Sequence, residues 1–379
     1  MKHDQRRFFT VAADLISVDE VIPYNLYINS SGDKKRFKYV RIYPAGDFLA
    51  EEDLKAFKKK YFQLYVHESQ RKIYLESLIK SPCWGQFEKL EVIKGSAITY
   101  LEKIFNGEKE LDSGLLRSLL EGCRDSVENI IELTKNCNVG DIQKLIGSLS
   151  FHDFYTFDHS INVCMYSMAL LRSINLKTEK KELINLGIGG LLHDLGKIKI
   201  STSVINKADK LSEAEFNAIK EHPLLGGEIL EDHLMSGLSL DVETIKRTIT
   251  EHHENFDGTG YPFCYKGEGI HLYARIVSIA DFFDALTTKR SYHKILSPQN
   301  ALEVMAKSVG KKIDPQLFEA FQETVNRIGT REKLTLELDE TFDPCQPQNV
   351  LPFKKYKAKK QAENIFGQDK KENSRKKSA

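Results

Sequence analysis

From about Gln86 to about Val309 the apolar residues of this chain recur at the spacing of helix faces and rarely alternate as strand residues do. Leu115, Leu116, Leu119, Leu120, Cys123, Val127, Ile130, Ile131 and Leu133 mark one such face between Asp112 and Lys135. Further helical stretches are read at Ile161 to Leu176, Lys181 to Leu192, Val242 to His252, Ala274 to Leu286 and Gln299 to Val309. Helices that are apolar along one face must bury it against one another, so this region is expected to be all-α.

The first eighty or so residues read differently. Tyr24 to Asn29 and Phe37 to Tyr43 have strand character around the turn Ser30-Ser31-Gly32-Asp33, a hairpin pattern. Ala50 to Lys60 reads as a charged surface helix, and Phe62 to Val66 as a further short strand. The organisation expected is a small α+β domain over 1–82, a helical connector over 83–111 and an all-α domain over 112–335. The stretch 336–379 is irregular and basic, carrying Lys354, Lys355, Lys357, Lys359, Lys360, Lys370, Lys371, Arg375, Lys376 and Lys377, and disorder is expected there.

Charge narrows the partners. The chain has 379 residues and a formal net charge of +1, too even a balance to offer a broad positive field to polymeric nucleic acid. Its six cysteines form no C-x-x-C pair, which argues against a disulfide framework and a thiolate metal site. The N-terminal residues reach acidic positions before any long apolar core, so no signal peptide is read. The longest apolar stretches, such as Leu186 to Leu192, fall short of the roughly 20 residues of a membrane span. A reduced, soluble, cytoplasmic protein is the expectation.

The chemistry lies in where histidine and aspartate fall. In order come Asp158-His159, then His193-Asp194-Leu195-Gly196-Lys197, His222-Pro223, His252-His253-Glu254, and Asp281 with Asp284 three positions later. Two adjacent imidazoles at the end of an apolar helix have no packing reason to be there. Asp194 closes the run Leu191-Leu192, and a carboxylate at the buried end of a helix needs compensation that a metal ion can supply. Imidazole and carboxylate donors suit divalent iron, manganese or zinc. His159, His193, Asp194 and Asp281 suffice for one ion, while His222, His252 and His253 are surplus and can hold a second, with Asp194 bridging. Two ions roughly 3.5–4 Å apart can grip a phosphate and acidify a shared water, making hydroxide available near neutral pH. No nucleophile elbow or phosphate-binding glycine loop competes with this reading.

These motifs resemble the HD superfamily of metal-dependent phosphohydrolases, and within it the HD-GYP branch. The resemblance rests on HDLGK at His193–Lys197, HP at His222-Pro223, HHENFDGTGYP at His252–Pro262, IADFFDALT at Ile279–Thr287, KRSY at Lys289–Tyr292 and Asp314-Pro315. It implies a phosphodiesterase that hydrolyses cyclic di-GMP, with two iron or manganese ions, to the linear dinucleotide pGpG or on to GMP. Carried over, His159, His193, Asp194 and Asp281 are ligands of one ion, and Asp194, His222, His252 and His253 of the other. Lys197 would contact the scissile phosphate and assist the leaving oxygen. Asp284 would orient the attacking water. Arg290 would pair with a phosphate or guanine, and Gly260, Tyr261 and Pro262 form the loop that names the branch.

Departures are visible. Tyr155 stands where members with a third metal carry Glu, so two metals are expected; Ser291 replaces a proline, and His293 stands where a basic substrate contact often lies. The resemblance also implies GGDEF-type cyclases or other signalling proteins as partners, and the helices between Gln86 and Lys135 could pair two chains into a homodimer. The first domain lacks the phosphoacceptor pattern of a receiver and is read as regulatory or interacting. Two alternatives stand beside hydrolysis of cyclic di-GMP. One is an HD hydrolase acting on another cyclic dinucleotide; the other is an inactive metal-binding receptor or scaffold for the messenger.

Overall fold

The structure, a computed structural model, describes residues 7–31, 37–105, 113–137, 139–148, 155–175, 177–205, 207, 211–233, 240–288 and 296–326. The chain divides into two units, one reaching to Val92 and the other beginning at Ile93. That division falls inside a helix, further along than the turn at Pro82.

In the first unit a four-stranded antiparallel sheet forms from β1 (Phe8–Val11), β6 (Leu64–His67), β3 (Leu26–Asn29) and β4 (Tyr39–Tyr43), in that spatial order. β3 and β4 are the expected hairpin pair; the tip of their turn lies outside the described residues. β2 (Glu20–Val21) pairs with β5 (Phe48–Leu49) in a separate ribbon. Alternation along the strands sends Leu26, Ile28 and Val66 to a buried face. Helix α2 (Arg71–Lys80) brings Tyr74, Leu75 and Leu78 into the same core, and the Tyr74 ring meets Phe9 and Tyr24 at 5.6 and 5.2 Å. Helix α1 (Glu51–Lys60) is the expected charged helix, burying only Leu54.

The second unit is helical, as the apolar spacing implied. Among its described residues no strand forms, and the one isolated β-bridge joins Val309 to Ile313. In chain order come the rest of α3 (Gln86–Phe105), α4 (Ser113–Leu133), α5 (Val139–Ser148), α6 (Tyr155–Ile174), α7 (Lys180–Leu192), the short α8 (Thr202–Ile205), α9 (Glu213–Lys220) and α10 (His222–His233). They are followed by α11 (Val242–Glu251), α12 (Leu272–Thr287), α13 (Pro298–Ala306) and α14 (Pro315–Asn326). Asp314 caps α14, accepting from the amides of Gln316 and Leu317 while its other oxygen takes a 2.6 Å bond from Arg275. Among the described residues no helix is long and apolar enough to cross a membrane.

Helix α7 is central. Every residue from Leu183 to Leu192 is buried, so the helix is apolar on all sides and packs against α6, α4 and α11. Its start is fixed by a capping box between Glu179 and Glu182. Its end is the chemically interesting part, because His193 and Asp194 follow Leu192 with no return to the surface: both are buried. The chain then turns through a 3-10 segment, Leu195–Lys199, pressed against the start of α10.

Gly196 makes that contact possible. A Cβ built there would lie 1.9 Å from the carbonyl oxygen of His222 and 2.5 Å from the amide nitrogen of Gly226. Both obstacles are backbone and cannot swing away, so the two segments must part if a side chain is added. Gly196→Ala is therefore expected to destabilise the second unit by about 1–3 kcal/mol or more. A denaturant titration followed by circular dichroism checks this; an unchanged midpoint would mean that the contact is looser than described.

Candidate metal centre

Three helix ends and two helix interiors deliver the polar residues. His193 caps α7 and Asp194 follows it; His222 opens α10 directly after α9; His252 caps α11 and His253 follows. His159 lies on α6, and Asp281 and Asp284 lie on α12. Donor atoms within 4.8 Å of one another group these residues as His159, His193 and Asp281; as His222, His252 and His253; and as His193, Asp194 and His252, which joins the first two. The seven ligand positions expected from sequence thus converge, with Asp194 between the two sets.

Hydrogen bonds fix the orientation of each imidazole. His193 Nδ1 lies 2.8 Å from the Gly190 carbonyl, His222 Nδ1 2.8 Å from that of Ile219, and His252 Nδ1 2.7 Å from that of Ile249. A carbonyl only accepts, so each Nδ1 carries the proton and donates. Each Nε2 is then left with a bare lone pair directed inward. The consequence is an arrangement that neutral side chains would not adopt on their own. His222 Nε2 stands 3.3 Å from His252 Nε2 and 3.4 Å from Asp194 Oδ1, lone pair against lone pair. A cation among them converts this repulsion into coordination.

His159 is oriented differently. Its Nδ1 lies 2.6 Å from Asp284 Oδ2 and its Nε2 lies 3.0 Å from Asp281 Oδ1. The other Asp284 oxygen accepts from Asn162 Nδ2 at 2.9 Å and from Thr288 Oγ1 at 2.7 Å. Asp284 is wholly buried, and its oxygens are engaged by His159, Asn162 and Thr288. The sequence suggested that it orients the attacking water; in the structure this carboxylate holds an imidazole, as carboxylate–histidine–metal arrangements do. Its location on the Asp281 face of α12 was legible in the sequence, whereas its partner was not. Asn162 and Thr288 were missed altogether, being ordinary polar residues on otherwise apolar helices.

Electrostatics agree with the geometry. Burial would raise the Asp194 carboxyl, but Lys197, His193 and His222 outweigh it and hold the group well below the usual carboxylate range. Lys197 does most of this, its ammonium lying 2.6 Å from Asp194 Oδ2. Burial and neighbouring positive charge push His222 and His253 well down, and burial brings His252 to about 4, so these rings stay neutral and able to ligate. Burial also opposes a charge on His159, yet Asp281 and Asp284 together carry it up to about 9. Neutral nitrogen and anionic oxygen donors, without a thiolate among them, fit a hard or borderline divalent ion.

The loop after His253 closes one side. Tyr261 stacks on the His253 ring with centroids 5.0 Å apart, and its amide donates to the His253 carbonyl. Glu254, 3% exposed, accepts from the amides of Phe263 at 2.6 Å and Tyr265 at 3.1 Å, so it organises this loop and faces away from the donor set. Gly260 allows the fold-back: a Cβ there would meet the Asn255 amide nitrogen at 2.1 Å. Pro262 follows Tyr261 in a cis peptide. Arg290, Ser291 and His293 lie outside the described residues, as does the basic tail. His67 and His271 lie apart from this set and accept from nearby backbone amides as local caps.

An all-helical domain whose helix ends gather imidazoles and carboxylates around a buried aspartate is the build of a divalent-metal domain. Residues 126–317 match the HD domain family, and the chain belongs to that family. It is 38% identical over 178 residues to a cyclic di-GMP phosphodiesterase of Pseudomonas aeruginosa, a match covering 47% of this chain and 41% of that protein. It is 35% identical over 174 residues to 3'3'-cGAMP-specific phosphodiesterase 3 of Vibrio cholerae, covering 46% of this chain and 36% of the relative. The matches thus span less than half the length of these relatives. Among solved structures, an HDG"Y"P protein from Bdellovibrio bacteriovorus superposes with a TM-score of 0.52 at 20% identity, over 84% of this chain and 99% of that one, a likeness of fold.

The raised His159 value gives a signed prediction. A group shifted from 6.5 to about 9 stabilises the metal-free fold fully below about pH 6.5, and that contribution is lost as pH rises through about 9. An incoming ion competes for the same Nε2, so its affinity should climb between pH 7 and 9 with release of about one proton. Calorimetry of manganese binding in buffers of different ionisation enthalpy measures this directly. Asp284→Asn should weaken binding about 10–100-fold and flatten the pH dependence, since one of the two acceptors that raise His159 loses its charge.

Proposed function

We propose that this chain is a metal-dependent phosphodiesterase that hydrolyses cyclic di-GMP. The observation that carries the reading is the facing of the His222 and His252 Nε2 atoms at 3.3 Å, beside an Asp194 carboxylate held ionised without water. That arrangement has a use only around cations. His159, His193, Asp194 and Asp281 would hold one ion, and Asp194, His222, His252 and His253 the other. Divalent ions, when bound, supply Lewis acidity towards a phosphodiester and towards water. Iron and manganese suit these donors.

The chain's own residues do the rest. Three backbone carbonyls keep His193, His222 and His252 in one tautomer and Asp284 holds His159 by Nδ1, so the donors need no reorientation, only loss of the His159 Nε2 proton, to receive their ions. Lys197 neutralises Asp194 while the site is empty of substrate; its flexible ammonium can turn from that oxygen to a phosphate oxygen and steady the leaving group. Tyr261, stacked on His253 and with the Lys220 ammonium 5.5 Å from its ring centroid, sets an aromatic and cationic corner beside the centre that suits a guanine base. Gly260 and Pro262 set the position of that ring, and Arg290 is assigned to a phosphate or guanine by its planar fork. The product would be pGpG, or GMP after a second cleavage.

A second reading keeps the chemistry and changes the base. Relatives named for 3'3'-cGAMP match about as well as those named for cyclic di-GMP, and a purine-stacking ring alone does not separate guanine from adenine. The test is anaerobic incubation of the manganese- or iron-loaded protein with each dinucleotide in turn, followed by chromatography. Conversion of cyclic di-GMP in preference to 3'3'-cGAMP is expected, and Asp194→Ala should lose both metal and turnover. Lys197→Ala should keep its metal and slow turnover about 10²–10³-fold. Tight binding of either dinucleotide without product would replace the enzyme by a receptor.

A further inference from the structure

Among the described residues of the second unit, Lys94 is a buried lysine whose position is hard to explain by stability alone. It lies on α3, only 5% exposed, and lysine is almost never buried to this degree unless paired. Its ammonium is 2.8 Å from Asp158 Oδ1, and Asp158 is itself 2% exposed. A buried ion pair costs both partners their hydration and often stabilises a fold no better than two apolar residues of the same size. The next residue along the chain from Asp158 is His159.

We propose that the Lys94–Asp158 pair positions His159 for metal binding, making Lys94 a positioning residue of the centre. The inference rests on the metal-centre reading given above. α3 holds the first turn of α6 at two points: Lys94 grips Asp158, and Phe105 packs edge-on against Phe157 with ring centroids 5.7 Å apart. The two anchors are eleven residues apart on α3, roughly 16 Å along its axis. They seize consecutive residues immediately before the ligand, so the turn can neither slide along α3 nor rotate about its own axis. Rotation matters here, because the imidazole must meet Asp284 with Nδ1 and present Nε2 beside Asp281 at the same time. Asp281 and Asp284 are one turn apart on α12, so a small twist of α6 that favours one bond spoils the other. A charged pair suits this task better than an apolar contact does. Its attraction in a dry interior makes any arrangement that separates the two charges expensive.

The test is manganese binding by the full chain, followed by calorimetry and by the paramagnetic resonance signature of a coupled ion pair. The binding step that disappears in His159→Ala identifies the ion on the His159 side. Lys94→Met should weaken that step at least about tenfold while leaving the His222, His252 and His253 step unchanged, and Lys94→Arg should restore it. Since Lys94→Met strands a buried carboxylate and can unsettle the fold, the neutral double variant Lys94→Met/Asp158→Asn is the deciding protein. It should melt at nearly the wild-type temperature and yet retain the weakened His159 step. A double variant that binds both ions as wild type does would reduce the pair to a structural contact and overturn the inference. So would a Lys94→Met protein in which both steps weaken equally. A wild-type chain that took up no second ion would instead fell the metal-centre reading, and this inference with it.

Discussion

An ionised carboxylate cut off from water must be surrounded by compensating charge, and Asp194 stands in that condition just past the buried end of α7. Leu183 to Leu192 drive α7 into the core, and the next residues inherit its depth. The Lys197 ammonium answers the charge from 2.6 Å. His193 and His222 turn their Nε2 atoms to the same carboxylate, so the 3-10 turn, the start of α10 and the end of α7 meet at one atom group. Gly196 belongs to the same arrangement, since the turn carrying Lys197 reaches Asp194 only by lying against the His222 carbonyl.

Much of this was legible in the sequence because imidazoles and carboxylates are conspicuous on apolar helices. His193-Asp194 after Leu191-Leu192, and His252-His253 after Ile249, are polar pairs with no packing use, and helical periodicity located the segments carrying them. What could not be read was pairing across distance. Asp284 was seen to share a face with Asp281, but its bond to His159 depends on how α6 crosses α12, which no local pattern encodes. Glu254 was seen beside the histidines, yet its attachment to the Phe263 and Tyr265 amides follows from a loop that doubles back. The same holds in the first unit. β3 and β4 are neighbours in sequence and were expected, whereas β1 pairs with β6 across more than fifty residues.

The two sides of the centre are supported by different means. His222, His252 and His253 take their orientation from backbone carbonyls and from a ring stacked upon them, features that follow from local helix geometry. His159 depends on side chains from two other helices, α12 through Asp284 and α3 through the pair at Asp158. The first set is preorganised by secondary structure and His159 by tertiary packing, so remote mutations should disturb the two sides of the centre unequally.

The carbonyls that orient His193, His222 and His252 belong to the last turns of α7, α9 and α11. Three helix macrodipoles therefore direct their negative ends at one small volume, each equivalent to roughly half an elementary charge. Before any cation enters, the backbone contributes this negative potential where Asp194 is already paired with Lys197 and Asp281 with His159. Divalent ions are drawn in by it and a phosphodiester is repelled. The fold thus imposes an order of assembly, metal first and anionic ligand second, and a chain stripped of its ions should have lost its affinity for such a ligand along with any ability to cleave it.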